Sequence, residues 1–450
     1  MPMSARIVRI TSLIALLFVL AQTADAQPKQ NSPYSRYGLG DFQPQYFAHQ
    51  AGMAGLAVGF HDPQHLNVIN PASFAFLNTA TYETGLYANY SHFESDQGSL
   101  NNWSGNLSYL ALGFTLKSPI NEALDKVQSP WKLGMGFSVT PYTLVGYNVE
   151  AVDTLPDLGR VSNQFQGDGG TYKFNWSNAV RYKRTAIGLN LGWFFGRTSF
   201  NNSTVFTDSL PTFQNNFRTD VRANGFIWKL GVQHDWVLAY SENNLTQPTR
   251  WVTFGLTANS NHRVRLRSDQ LLQRSRGLFA NNVFIGPDTL LFEEGAFQSL
   301  TLPAGIGLGV MLVELNRYRF GLDYAFENWS AYENEVNPET LRNTHAISIG
   351  GEYTPDYASY NNYLKKVRLR AGAYYRQDPR VINGTQLNDI GVSVGFGFPV
   401  VLPRLQTSFV NTALEVGSFG ADTPIRETYF RFTVGFCLND NTWFYKRRFE

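Results

Sequence analysis

Residues 390–398 read IGVSVGFGF, in which bulky apolar residues alternate with Gly or Ser. Successive side chains of a strand point to opposite faces, so the bulky apolar residues fall on one face and Gly and Ser on the other. The same alternation returns in many segments, including 109–116, 133–139 and 302–310. The chain is therefore expected to consist mainly of strands with one bulky apolar face and one small face.

Two features favour strands that cross a membrane over those of a soluble β-sandwich. The segments are about nine to eleven residues long, which is the length that crosses a bilayer when tilted. Their second face is rich in small residues, where a solvated surface would carry Lys, Glu and Thr. Aromatic residues near the segment ends would form the interfacial girdles of such a protein: Tyr90, Trp103, Trp131, Tyr142, Trp193, Trp251, Trp329, Tyr353 and Tyr375.

We therefore predict an all-β fold, a transmembrane antiparallel β-barrel of about 14 strands in the outer membrane of a Gram-negative cell. Polar stretches between the strands are predicted as long loops, at 153–171, 199–222, 262–300, 327–344 and 376–388. Short turns would lie at the other end of the barrel. An even strand number predicts that both termini are periplasmic.

Composition excludes several other classes of protein. The 450 residues carry a formal charge of only +2, which is unsuited to binding nucleic acid. No later segment has 18 consecutive apolar residues, so a bundle of membrane helices is also excluded. The single Cys forms no internal disulfide, and no Cys/His cluster has the spacing of a metal site. We expect no metal and no other cofactor.

The chain divides into four predicted parts. Residues 1–26 have the basic start, apolar core and small-residue cleavage site of a signal peptide. Residues 27–80 lack strand alternation and are predicted to fill the barrel as a hatch, in which Asn70 and Pro71 begin a short helix. The barrel is predicted over 81–438, and a basic, aromatic periplasmic tail over 439–450.

An enzyme is not expected. Residues 391–395 fit the hydrolase pattern G-x-S-x-G, but that chemistry needs a sharp turn from strand to helix, and here the alternation continues through Ser393. The seven His residues are scattered, and His61 and His65 lack a third ligand nearby. We predict no catalytic residues.

The N-terminal segment is similar to the signature of the FadL family of outer-membrane transport proteins. The matching features are the Gly/Ala-rich run 52–58, Asp62 and the triplet 70–72, and the segments 345–353, 369–375 and 387–398 resemble that family's final strands. The resemblance implies a hatch and the passage of hydrophobic small molecules such as long-chain fatty acids. Six residues would then contribute to the hatch and its ligand site: Gly52, Gly55, Asn70, Pro71, Ala72 and Phe74.

Two segments differ from that pattern. The opening 31–41 and the tail 441–450 look more like the PorV-related branch of these barrels. That branch implies an alternative function without cargo, as a subunit of a type IX secretion or outer-membrane protein assembly machine. The expected partners are outer-membrane lipids and a hydrophobic ligand, or secretion and barrel-assembly proteins in the alternative.

Charged residues on the small faces of the strands are predicted to share the barrel interior. They are Arg368, Arg370, Arg431, Asp323 and Glu327. One interpretation is a network of ion pairs that fixes the hatch to the wall. The other is that the arginines hold a ligand carboxylate through paired hydrogen bonds.

Overall fold

The computed structural model describes residues 32–442 apart from 97, 118–120, 123–125, 127–128, 156–158, 207–211, 243, 279–282 and 403–405. The predicted signal peptide and the tail residues 443–450 lie outside the described residues. Strands dominate the chain. In order they are β1 (Asp41–Phe42), β2 (Ala80–Ser95), β3 (Gly98–Thr115), β4 (Trp131–Leu155), β5 (Gly159–Tyr182), β6 (Thr185–Phe206), β7 (Thr212–Ser241), β8 (Asn244–Asn259), β9 (His262–Leu278), β10 (Val283–Leu302), β11 (Gly305–Glu314), β12 (Tyr318–Glu327), β13 (Glu333–Asn334), β14 (Thr344–Tyr353), β15 (Arg368–Ile382), β16 (Thr385–Leu402), β17 (Gln406–Phe419) and β18 (Ile425–Asp440).

Within the described residues, fourteen antiparallel strands form a closed barrel. They are β2 to β8, β11, β12 and β14 to β18, and the ring closes where β18 pairs with β2 from Ile425–Ser95 to Asp440–Ala80. Bulky residues point outward, as Val392 is 57% exposed, whereas Ser393 beside it is 2% exposed. The predicted all-β barrel is confirmed. A closed ring has no free edge, so every backbone group of the wall can be hydrogen-bonded within lipid.

Half of the wall is taller than a membrane requires. β4 to β7 have between 22 and 30 residues, whereas about ten residues cross the bilayer. β9 continues the line of β8 and pairs with the first half of β7, and β10 returns beside it. We call the end of the barrel that carries these extensions the far end, since the start of β2 and the end of β18 lie at the opposite end.

These extensions correct the predicted loops. The stretches 153–171, 199–222 and 262–300 are mostly strand, and 376–388 is a hairpin of β15 and β16. They lack the alternation of the other strands because strands beyond the lipid have no apolar solvent on either side. Residues 327–344 do form a mainly irregular connection, with a 3-10 turn at Trp329–Ala331 and the short β13.

Three of the predicted girdle residues lie inside the barrel, and one of them, Trp251, packs against a cluster that contains Met53, Leu56 and Phe60 of the N-terminal segment. Trp103, Trp131 and Trp193 are exposed on the outer face, as the girdle requires, but Tyr142 and Trp329 are buried. Both buried rings pack edge-on against Phe42 of β1, at centroid separations of 5.6 and 5.0 Å. The girdle prediction is wrong at these three positions because their side chains pack against the N-terminal segment.

The segment before β2 fills the barrel. We refer to residues 32–79 as the hatch, and it contains a 3-10 turn at Pro33–Arg36, β1, the short helix α1 (Ala48–Ala51) and a 3-10 turn at Pro71–Phe76. Asn70 caps the last turn by accepting a hydrogen bond from the amide of Ala72, with Pro at the first position. No helix in the described ranges is long and apolar enough to span a membrane.

The small inner face of the wall is what makes room for the hatch. A Cβ added to Gly52 of the hatch would lie 2.9 Å from the Cα of Gly395 on β16, so the two backbones touch. A Cβ on Gly136 of β4 would collide with the ring of Phe74, and one on Gly188 of β6 with the backbone of Pro71 and Ala72. The glycine rows are therefore packing surfaces for the hatch.

Candidate functional site

Asp62 joins the hatch to the barrel wall. One of its carboxylate oxygens lies 2.7 Å from a guanidinium nitrogen of Arg319 on β12 and 3.1 Å from one of Arg368 on β15. The Asp62 side chain is fully buried. Burial alone would raise the pKa of Asp62, but the two guanidinium groups hold that pKa well below its ordinary value. Asp62 is therefore an ionised anchor of the hatch.

Glu352 on β14 extends this cluster. Its carboxylate is 2.8 Å from the Nε of Arg370 and 3.5 Å from the Nε of Arg319. Arg370 also donates a 2.8 Å hydrogen bond to Asn411 on β17. Arg368 and Arg370 thus face protein carboxylates and an amide in a buried environment. This geometry supports the ion-pair interpretation of these arginines over capture of a ligand carboxylate.

Asp323 contacts the hatch through backbone groups instead of arginines. Its carboxylate accepts hydrogen bonds from the amides of Ala57 and Val58, at 2.6 and 2.8 Å. Asn70 and Gln233 donate to the carbonyl of Val58, at 2.7 and 3.0 Å. The irregular turn around Val58 therefore has its polar backbone satisfied by the wall, which allows it to be buried.

The remaining predicted charges lie apart from this cluster. The guanidinium of Arg431 lies over the ring of Tyr87, 4.9 Å from its centroid. Glu327 accepts a 2.7 Å hydrogen bond from the indole of Trp329. Of the five predicted interior charges, only Arg368 and Arg370 share a cluster, through Glu352. The other three lie elsewhere in the interior.

The six predicted hatch residues are all in the barrel interior. Gly52 contacts the backbone of β16, and Gly55 has a φ of 81°, which favours glycine. Asn70, Ala72 and Phe74 are buried, each at 1% exposure or less. Pro71 starts the 3-10 turn. Their positions are those of packing and capping residues, and whether any of them touches a ligand stays a prediction.

Sequence reasoning missed several interior residues that bind the hatch. Arg380 on β15 donates hydrogen bonds to Asp41 at 2.6 Å and to the carbonyl of Tyr34 at 2.9 Å. Arg376 donates to the carbonyl of Ala54 at 3.0 Å. Both arginines follow Arg368 and Arg370 at even spacing on one strand, and that spacing is the signal that could have revealed them.

A cavity of about 340 Å³ remains between the hatch and the wall. Aromatic side chains of Phe42, Tyr142, Trp329 and Phe419 line part of it. The other part is charged, and acidic residues outnumber arginines. The acidic ones are Asp41, Glu327, Asp378, Asp389, Glu415 and Glu427, and the arginines are Arg376, Arg380 and Arg431.

The wall is incomplete beside this cavity. Over the described parts of β3 and β4, the ladder ends at the pair Leu110–Val139 and contains six residue pairs. Beyond it β4 contains Pro141, a register shift against β5 between Pro141 and Thr143, and an edge that pairs with β1 of the hatch. We call this break between β3 and β4 the wall opening.

The hatch covers the wall opening from inside. Gln45 donates a 2.7 Å hydrogen bond to the carbonyl of Pro141, and the amide of Gln43 donates to the carbonyl of Tyr142 at 2.9 Å. A small pocket beside the opening is lined by Ser108 of β3 and Pro141 of β4. It shares Gln43, Pro44, Tyr46, Glu415 and Arg431 with the large cavity. The opening and the cavity are thus adjacent.

The hydrolase-like serine has a structural partner. Ser393 lies within the straight part of β16, and its Oγ accepts a 2.8 Å hydrogen bond from the amide of Ala54. Among the described residues, no group of three His, Cys, Asp or Glu side chains is placed to hold a metal ion.

Comparison with known proteins adds the family. The family model described as BamG matches residues 7–450, almost the whole chain. The chain belongs to the BamG family. No curated protein matches this BamG-family chain significantly.

Solved structures resemble the BamG-family barrel in fold. A Pseudomonas aeruginosa FadL homologue is 15% identical with a TM-score of 0.53, covering 89% of this chain and 99% of that one. The Ralstonia pickettii toluene transporter TbuX is 13% identical with a TM-score of 0.50, covering 90% and 99%. The Pseudomonas putida toluene transporter TodX is 14% identical with a TM-score of 0.50, covering 90% and 100%. The barrel of this BamG-family chain is therefore FadL-like in its fold.

Proposed function

We propose that this BamG-family barrel carries hydrophobic small molecules across the outer membrane. The observation that carries the proposal is the wall opening between β3 and β4, beside which Ser108 and Pro141 line a pocket next to the interior cavity. A polar pore does not need an exit toward lipid. A path for apolar molecules does, since the hydrocarbon core is where such molecules are most stable. The termini are periplasmic in this proposal, so the far end faces outward.

The path would run from the interior cavity past the hatch residues at the wall opening. Gln43 and Gln45 hold the edge of β4 by hydrogen bonds and not by packed apolar side chains. Each such bond contributes about 1 kcal/mol to stability, so shifting this part of the hatch costs little compared with breaking the buried Asp62 cluster. Movement around residues 43–45 would join the cavity to the lipid while Asp62 keeps the rest of the hatch in place.

The charges in the cavity favour an uncharged cargo over a fatty acid. Arg380 is already bound to Asp378 and Asp41, at 2.7 and 2.6 Å. Arg376 lies 3.8 Å from Asp389. A ligand carboxylate would enter a space in which carboxylates outnumber arginines two to one. Rings such as Phe42, Trp329 and Phe419 offer contacts for an apolar ligand, worth about 0.8 kcal/mol per buried methylene.

Uptake into vesicles tests this proposal. The purified protein would be reconstituted into liposomes with an outer leaflet of lipopolysaccharide, which apolar molecules cross slowly, and entry of a labelled alkyl alcohol would be compared with entry of the carboxylate of equal chain length. We expect the protein to speed entry of the alcohol at least tenfold over protein-free liposomes, and entry of the carboxylate much less. Equal rates with and without protein for both probes would contradict transport.

The same preparation tests the alternative function. Mass spectrometry of the protein purified in mild detergent would identify what remains bound. A hydrophobic compound at about one per barrel supports transport. A stoichiometric protein partner, together with no uptake of either probe, would overturn transport in favour of a role in a secretion or assembly machine.

A further inference from the structure

Five exposed arginines project from the outer surface of the barrel near the far end. Arg197 on β6 is directly opposite Arg222 on β7, and Arg222 is directly opposite Arg267 on β9. Arg263 and Arg265 continue the same exposed face of β9. We call these five residues the arginine belt. It was not predicted from the sequence, because residues 262–300 were expected to form a loop.

The belt places positive charges close enough to repel one another. Neighbouring strands are about 4.8 Å apart, so three arginines in one cross-strand row repel one another. Asp269 lies 3.1 Å from Arg222, and Asp220 lies 3.4 Å from Arg197 but is shared with Arg218. Among the described residues, Arg263, Arg265 and Arg267 have no acidic side chain within 4 Å, and Arg263 donates a 3.3 Å hydrogen bond to Ser299 near Glu335. An external anion would relieve this repulsion.

The belt lies at the edge of the lipid-facing surface. Trp193 of β6 pairs with Phe226 of β7, and both rings are exposed on the outer face. Arg222 is four residues beyond Phe226 on the same face of β7, which is about 13 Å along the strand. From Phe226 to Trp236 the outward residues of β7 are mainly apolar. The belt therefore begins beside the aromatic pair and extends beyond it to the row of Arg197, Arg222 and Arg267, at headgroup height.

A surface groove of about 550 Å³ joins the charged and apolar parts of this region. Arg222, Arg263, Arg265 and Arg267 line it together with Trp193, Asn224, Gly225 and Phe297. No acidic residue is among them. Phe297 is 73% exposed, and the guanidinium of Arg265 lies 6.0 Å from its ring centroid. An exposed phenylalanine beside several arginines fits an amphiphile that is both anionic and apolar.

We propose that the arginine belt binds the phosphate groups of a glucosamine-based glycolipid of the outer leaflet, the lipid A class. Guanidinium groups hold phosphate through two parallel hydrogen bonds, and adjacent arginines on β7 and β9 can share one phosphate. Trp193 and Phe297 contact the first carbons of the acyl chains. The orientation with the far end outward places the belt in the leaflet that carries this lipid. The site does not depend on whether the barrel transports a cargo.

Binding of defined lipids to the full-length protein in mild detergent tests the proposal. The probes are bisphosphorylated lipid A, the same lipid without its phosphates, phosphatidylglycerol and inorganic phosphate. We expect bisphosphorylated lipid A to bind at least tenfold more tightly than any of the others. Equal binding of the dephosphorylated lipid would overturn the role of phosphate, and equal binding of phosphatidylglycerol would overturn the choice of glycolipid. Inorganic phosphate binding as tightly would reduce the belt to an adventitious anion site.

Variants assign the binding to the belt. Arg265→Ser combined with Arg267→Ser is expected to weaken lipid A binding at least tenfold. The matched control is Arg250→Ser with Arg317→Ser, which removes two exposed arginines next to Glu314 at the opposite end of the barrel. An equal loss in the control would contradict the proposal, as would unchanged binding in the belt variant. Mobility of unboiled protein on gels verifies that both variants fold, and the comparison of lipids on the unaltered protein stands without them.

Discussion

The carboxylate of Asp62 in the hatch lies 2.7 Å from the guanidinium of Arg319 on the barrel wall, across 257 residues of sequence. Arg368 reaches the same carboxylate oxygen from a second strand at 3.1 Å. All three groups are largely removed from water. A buried ion pair of this kind adds little net stability by itself, but removing one member leaves a charge without its partner. The hatch is therefore sensitive to this one carboxylate.

Replacing Asp62 with Asn is expected to loosen the hatch. The change keeps the size of the side chain but leaves Glu352 as the one carboxylate beside Arg319, Arg368 and Arg370 in this cluster. We expect the free energy of unfolding to fall by about 3 kcal/mol or more. The temperature at which the unboiled gel mobility is lost should fall, and limited proteolysis within the hatch should accelerate. Glu94→Gln removes a carboxylate from an exposed pair with His92 and serves as the control, with almost no change expected. Equal behaviour of the two variants would contradict the role of Asp62.

Acidification is expected to destabilise the hatch, because two of its histidines are buried. Burial lowers the pKa of His49 to about 4 and also lowers that of His65, from an ordinary 6.5. At these two histidines the folded protein therefore binds fewer protons than the unfolded chain below pH 6.5. Their contribution to stability is fully present above pH 6.5 and falls as the pH drops toward 4, by about 3 kcal/mol for His49. Unfolding midpoints measured across this pH range provide the check.

His49→Leu isolates the contribution of one histidine. Neither ring nitrogen of His49 makes a hydrogen bond within 3.5 Å, its Nδ1 lies 3.6 Å from the buried carboxylate of Glu83, and the ring packs near Phe60 and His65. We expect the leucine variant to keep its stability at pH 7.5 and to lose less stability at pH 4.5 than the unaltered protein. His234→Gln, at an exposed position of β7, should leave the pH dependence unchanged. If the unfolding midpoint of His49→Leu changes with pH as steeply as that of the unaltered protein, the acid sensitivity belongs to other groups.

The close contact between Gly52 and Gly395 gives a steric test of hatch docking. A methyl group on Gly52 would lie 2.9 Å from the Cα of Gly395, and backbone at that place cannot give way. Gly52→Ala is expected to cost about 1–3 kcal/mol and to lower the midpoint of the gel mobility shift. Gly305→Ala is the control, because the atoms nearest to its added methyl group are side-chain atoms that can shift slightly, the Oδ1 of Asn259 at 3.1 Å and the Cγ of Glu327 at 3.3 Å. A larger effect at Gly305 would contradict this explanation.

The barrel could be predicted from the sequence because lipid imposes a strict rule on strands. Every second residue of a strand points outward, and it must be apolar where hydrocarbon surrounds the wall. Residues 390–398 follow that rule without exception. Residues 262–300 do not, because β9 and β10 stand beyond the lipid at the far end, and their strands were mistaken for a loop. Alternation reports which solvent surrounds a strand, and it says little about strands that leave the membrane.

The interior contacts needed the structure. Alternation places Arg319, Arg368 and Asp323 on the inner face, but it does not say which of them meet. The contact of Asp62 with Arg319 depends on the path of the hatch and on the register of β12 against β14 and β15. Asp323, predicted as a member of an ion network, instead binds the amides of Ala57 and Val58. Residue types predict a charged interior, and the pairing follows only from the fold.

Blocking the wall opening is expected to stop passage of the hydrophobic probe. Ser108 lines the pocket at the opening, and Ser108→Trp would fill the space between β3 and the hatch residues Gln43 and Pro44. Entry of the labelled alcohol into liposomes should fall at least tenfold, and the mobility of unboiled protein on gels checks that the barrel folds around the larger side chain. Leu107→Trp is the matched control, since Leu107 precedes Ser108 and its own side chain is exposed on the outer face. Uptake that persists in Ser108→Trp, or falls equally in both variants, would mean that the molecules do not leave between β3 and β4.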